Sequence, residues 1–172
     1  MKNLKKLDYL LLFQIFVIGG IVGFIYEEIF YYFDLGYLVK RGSTFGPWIP
    51  IYAFGSILIY LICKKYSKKP HIVFMLGTII SGILEFTTGY ILYHFFNIRL
   101  WDYNTEILNF GNIGGYICLR SVLLFGICSL FLVYGIVPTM KKVNTKKRKA
   151  INIVSIILFI IFVCDIIVNI II

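Results

Sequence analysis

Residues 41–55 read Arg-Gly-Ser-Thr-Phe-Gly-Pro-Trp-Ile-Pro-Ile-Tyr-Ala-Phe-Gly. The front of this stretch is too polar and too broken for a membrane span, and its back is too apolar for an ordinary loop. Gly42, Gly46, Pro47 and Pro50 require the chain to turn sharply before it becomes helical. On both sides lie long apolar runs. The stretch therefore reads as a structural turn held on one face of a bilayer by a membrane scaffold.

Those runs set the fold class. The chain has 172 residues, 60% of them hydrophobic, and a mean hydropathy of +0.90. Soluble chains of this size are about half apolar. The expectation is an all-α, polytopic transmembrane bundle forming one domain over residues 1–172. About five spans are expected, at 9–33, 47–63, 72–96, 117–137 and 150–172, each near the ~20 residues that cross a hydrocarbon core. The first is too long for a signal-peptide core and reads as a retained helix. Proline at 138 is expected to end the fourth.

Charge fixes an expected orientation. Thirteen of the seventeen Lys and Arg residues fall at 2–6, 64–69 and 141–149. Only Lys40, Arg41, Arg99 and Arg120 fall in the alternate connectors. This bias places the N-terminus inside and the C-terminus outside. The net charge of +9 is thus topological and gives no reason to expect nucleic acid. Most of the acids gather on the opposite, outer side. Cys63, Cys118, Cys128 and Cys164 form no C-x-x-C pair and read as small buried apolar residues, and nothing in the sequence calls for a metal or cofactor. A faint tandem repeat is also visible. Gly23 before Glu27 resembles Gly82 before Glu85, and each is followed by aromatics, a connector and a second span.

Several residues carry candidate chemistry. Glu85 lies roughly 20 Å into the third span, at 1.5 Å per residue. A carboxylate there is expected to face the interior with a partner, and Arg120 is the expected one. Glu27 is expected to join Glu85 and Arg41 in one outer pocket, with Glu28 pointing about 100° away. Trp101 suits the headgroup belt. Asp102 is expected to accept from Arg41, Arg99 or the glycine turns. Asn112 and Gly115 shape a turn before the fourth span, where backbone N–H groups suit an anion or a packed re-entrant turn. Asp165 and Asn169 share a helix face. They suit a contact with another helix or with a second copy of the chain.

Taken together, Arg41-Gly42, Gly46-Pro47, Pro50-Ile51-Tyr52, Gly55, Glu85-Phe86, Trp101-Asp102-Tyr103 and Asn112-x-x-Gly115-x-x-Cys118-Leu119 resemble a bacterial membrane family. That family is labelled Putative ABC-transporter permease, type IV, or CmpB-like. The chain departs from its pattern at Ala53, Leu100, Asn104 and Tyr116. The resemblance implies a substrate-translocating subunit in a bacterial cytoplasmic membrane, working with a separate ATPase. No G-x-x-x-x-G-K-[ST] occurs in the chain itself. Three functions remain open: a transport component with an outer-facing polar pocket; an outer-leaflet enzyme acting on a lipid or envelope precursor; and a non-catalytic accessory protein. The balance favours a non-enzyme.

Overall fold

A computed structural model describes residues 8–42 and 44–171. Lys2, Lys5 and Lys6 of the expected inner lead lie outside the described residues. The elements are α1 (Tyr9–Leu35), α2 (Pro50–Cys63), a 3-10 turn (Lys64–Tyr66), α3 (Pro70–Phe96), α4 (Leu119–Phe131), a π turn (Leu132–Ile136), α5 (Val137–Lys146) and α6 (Arg148–Ile171). Among the described residues no strand forms. Four helical stretches are long and apolar enough to cross a membrane: α1, α3, the continuous run from α4 to α5, and α6. This is a multi-pass membrane protein.

Local chemistry explains the boundaries. Asp8 caps α1, its side chain accepting from the amide of Leu11 at 3.2 Å. Gly36 ends α1 with φ +81°, a left-handed C-cap that costs glycine nothing. Pro50 opens α2, where its missing N–H is no loss. The preceding Ile49 is extended, as residues before proline are.

Two expectations about span length change. Helix α2 has 14 residues, about 21 Å, which is shorter than a hydrocarbon core of about 30 Å. Residues 47–49, expected to be part of that span, are not helical. Pro138 does not end the fourth span either. The chain stays helical to Lys146 because the π turn sits directly before the proline. That turn shifts the hydrogen-bond register, so the ring and the missing donor are absorbed without a break. Thr139 Oγ1 also donates to Gly135 O at 2.8 Å.

Helix α2 stands at the centre, packed on α1, α3 and α4. Small residues let the neighbours close. Gly19 and Gly23 meet Ser56 and Tyr52, so α1 and α2 run antiparallel. Gly77 meets Ser129 and Gly126 meets Thr78, so α3 and α4 do likewise. The main apolar core lies toward the lysine-rich end, where Leu11, Ile15, Ile59, Cys63, Val73 and Val133 are buried together. Gln14 and Asn144 exchange two amide hydrogen bonds there, at 2.8 and 2.9 Å, and tie α1 to α5. Helix α6 runs parallel to α1 along its flank, with Phe13 on Phe159 and Phe16 on Phe162.

Asp165 explains how the broken stretch 44–49 sits beside these helices. Its carboxylate accepts from the amides of Phe45 and Gly46, at 2.9 and 3.1 Å, and from Trp48 Nε1 at 2.6 Å. Ile49 N donates to Gly20 O in the middle of α1 at 3.1 Å. Irregular backbone among apolar helices needs such partners. Asp165 therefore serves its own chain, within the contact that its helix face was expected to make with another part of the bundle or a second copy.

Candidate functional site

At the end opposite the lysines, the connector between α3 and α4 folds into a cap. Asp102 pairs with Arg99 at 3.0 Å and accepts from the amide and side chain of Asn104. Asn112 donates to Asn104 at 2.7 Å and accepts from Gly115 N at 2.8 Å. Gly115 has φ +79°, and a Cβ there would strike Arg99, Asp102 and Asn104; only glycine fits. Trp101 Nε1 donates to Tyr116 O at 3.0 Å. The cap is tied down onto α1, where Ile107 N donates to Asp34 at 2.8 Å and the Tyr31 hydroxyl donates to Glu106.

Beneath the cap lies a cavity of about 130 Å³. Helices α1, α2, α3 and α4 all line it, and Trp101, Tyr103 and Glu106 of the cap join them at its upper end. Three carboxylates line that end: Glu27, Glu85 and Glu106. Glu27 pairs with Arg41 Nε at 3.1 Å, and Arg41 lies over the Tyr31 ring at 3.7 Å. Glu28 instead accepts from the Arg41 amide at 2.7 Å. The two adjacent acids thus grip one arginine from different sides.

Arg120 does not pair with Glu85. Its Nη2 donates to Glu106 at 2.8 Å, and its guanidinium lies 3.9 Å from the Phe30 ring centre. The Cys118 thiol, a weak acceptor, is beside it. Its Nε and Nη1 are buried and donate to no acceptor among the described residues. Buried guanidinium donors left in this way are costly, so this is where the cavity lacks a partner.

Glu85 is only 6% exposed. Tyr103 Oη lies 2.6 Å from its Oε1 and Ser121 Oγ 2.7 Å from its Oε2, while Tyr103 and Ser121 are 2.9 Å apart. Three contacts form a ring. The two hydroxyls bring two protons, and a protonated carboxyl brings the third. The ring is complete when Glu85 is the neutral acid. Burial holds the Tyr103 hydroxyl well above the ordinary tyrosine range.

Residues 14–170 match the family described as Putative ABC-transporter type IV. The chain belongs to this family. No curated protein and no solved structure matches it. In this chain, the structure gathers Glu27, Glu85, Trp101 and Arg120 around one cavity, with Arg41 behind Glu27. Asp102 and Asn112 stand apart, as the hydrogen-bonded frame of the cap. Among the turn residues, Gly42 has φ +85° and abuts Ile49; Gly46 and Pro47 form the tight turn in which Trp48 N bonds back to Gly46 O at 2.9 Å. Sequence reasoning missed Glu106, Tyr103 and Ser121 as site residues. The outer bias of the acids was a signal for Glu106 and the Trp101-Asp102-Tyr103 motif one for Tyr103, whereas Ser121 carries none. It also expected four buried cysteines, but Cys128 and Cys164 are exposed, Cys128 at the cavity wall.

Proposed function

We propose that this chain is the membrane subunit of a transport system in a bacterial cytoplasmic membrane, and that its substrate contacts the capped cavity. The observation that carries the reading is the pair of unpartnered Arg120 nitrogens at the charged end of that cavity. A polar group kept unsatisfied in an otherwise apolar bundle is expensive, and such groups concentrate where a ligand completes them. The lysine bias supports five crossings with the cap outside. In the second crossing, the non-helical residues 45–49 supplement the short α2. A separate ATPase supplies the energy. Helix α5, carrying Lys141, Lys142 and Lys146 beyond the packed end, gives that partner a helical surface to grip.

The test is to purify the tagged chain from its native membrane in mild detergent and assay ATP hydrolysis. An ATPase is expected to co-purify. Arg120→Gln is expected to lower the hydrolysis rate several-fold, and Glu28→Gln to leave it within about twofold, since Glu28 serves only a backbone amide. Purification without any ATPase, or equal rates in both variants, would remove the transport reading. The outer-leaflet enzyme reading rests on Glu27 and Glu85 lining one cavity; a change in lipid composition that needs no ATPase would favour it.

A further inference from the structure

The two ends of the cavity differ in chemistry. The capped end holds the arginines and carboxylates. From Arg120 to Ile136 the lining follows one helical wall for roughly 24 Å at 1.5 Å per residue, and this lower part is apolar apart from a few small residues. Two of its serine hydroxyls are turned to backbone: Ser81 donates to Thr78 O at 3.0 Å, and Ser129 to Gly126 O at 2.6 Å. A hydrophilic solute would find few free partners along it.

The cavity also has a side mouth. Helices α1 and α4 face one another across α2 instead of packing together along their lengths. Val22 on one wall is half-exposed and Cys128 on the other is exposed. Both lie on apolar helices, so the gap opens toward lipid, not water. A cavity of about 130 Å³ has room for about four or five water-sized groups, which suits the first part of a single hydrocarbon chain, the rest of it leaving by the side mouth into lipid.

The polar end selects the headgroup. Arg41 is balanced by Glu27 and Arg120 by Glu106, and the Glu85 ring is complete as a neutral acid. With Glu28 on the Arg41 amide the cluster carries one net negative charge, yet the Arg120 nitrogens still want an oxygen acceptor. A net anion would sit uncompensated among three carboxyl groups, which is unfavourable in a low-dielectric site.

We propose that the cavity binds a zwitterionic phospholipid from the bilayer, with one acyl chain in the slot between α1 and α4 and a phosphate oxygen accepting from Arg120. This rests on reading the cavity as the substrate site. It makes a membrane lipid the substrate class, reaching the site sideways from the leaflet.

Native mass spectrometry of the purified full chain tests it. The chain is offered equimolar dioleoyl-phosphatidylethanolamine and dioleoyl-phosphatidylglycerol, and separately glycerophosphoethanolamine, which has the headgroup without chains. One phosphatidylethanolamine is expected to be retained per chain, on the order of tenfold over phosphatidylglycerol, a preference worth about 1.4 kcal/mol. Leu124→Trp, which fills the slot from α4, is expected to abolish retention; Val22→Trp fills it from α1. Ile153→Trp, on the exposed face of α6, is the control and should retain lipid. Arg120→Gln removes the donor to the phosphate and leaves Glu106 unbalanced, so retention of both lipids should fall, that of phosphatidylglycerol further. Equal retention of the two lipids by the unaltered chain, retention unchanged in both slot-filling variants, or binding of glycerophosphoethanolamine as tight as the lipid would each overturn the proposal. Lipid retained without a co-purifying ATPase would sink the transport reading and leave the slot standing. An Arg120-dependent ATPase with no lipid retained would do the reverse.

Discussion

Glu85 shows how one buried acid is tolerated among apolar helices. Its partners are not a cation but two hydroxyls, from Tyr103 and Ser121, which close a hydrogen-bonded ring with the protonated carboxyl. Glu85→Gln keeps a carbonyl and a donor in the same shape, so the ring survives. Thermal unfolding in detergent should place it within about 1 kcal/mol of the parent, and an infrared band for a protonated carboxyl should disappear. Glu85→Ala leaves both hydroxyls unpaired and should cost roughly 2–4 kcal/mol. The result that contradicts the ring is a Glu85→Gln variant as unstable as Glu85→Ala.

Tyr103 adds a pH dependence with a definite sign. Its hydroxyl ionises at higher pH when folded than at the ordinary 10.0 of the unfolded chain. Above that ordinary value the unfolded state holds fewer protons than the folded one, so stability falls as pH rises. The contribution of Tyr103 is present below about pH 10 and lost progressively above it. Tyr103→Phe should flatten that part of the stability–pH curve. Glu85 was legible in the sequence because a carboxylate in an apolar run must have a partner. The partner was misjudged because Arg120 looked the stronger candidate by charge, whereas the connector folds back and brings Glu106 to it first.

At the scale of elements, the bundle depends on two devices. One is the small-residue seam. A Cβ on Gly77 would run into Ser129 on α4. Gly77→Val should push α3 from α4 and cost about 1–3 kcal/mol, read as a lower unfolding temperature; adding Ser129→Ala should recover part of it. The other is Asp165. It holds the amides of Phe45 and Gly46 and the Trp48 indole, each a charge-assisted bond. Asp165→Ala should free residues 44–49 from α6. Limited proteolysis should then cut in that segment, and the buried Trp48, 7% exposed, should emit at longer wavelength. Unchanged proteolysis and emission would show that the segment holds itself. The sequence announced the turn at 41–50 through its glycines and prolines. It could not announce that a carboxylate 117 residues later satisfies it, because no local pattern encodes that pairing. The continuation of α4 through Pro138 was hidden for a similar reason, since proline marks a break and the π turn that absorbs it leaves no sequence signature.

For the whole molecule, the decisive question is which face the cap occupies. The lengths of α1 and α3 are equal at 27 residues, both end in a left-handed residue, and each packs antiparallel on the next helix through a glycine–serine contact. We propose from this a tandem in-and-out arrangement, with the second helix of the first unit shortened. The lysines of the 3-10 turn and of α5 then share one face and the cap the other. Single cysteines placed in a background lacking the four natural ones can test this. At Leu108, which is exposed in the cap, a membrane-impermeant maleimide should label intact cells nearly completely. At Lys142 it should label only after the membrane is opened. The reverse pattern would put the cap in the cytosol. The substrate end would then face the ATPase, and every argument that places Arg120 beneath the outer headgroups would fail with it.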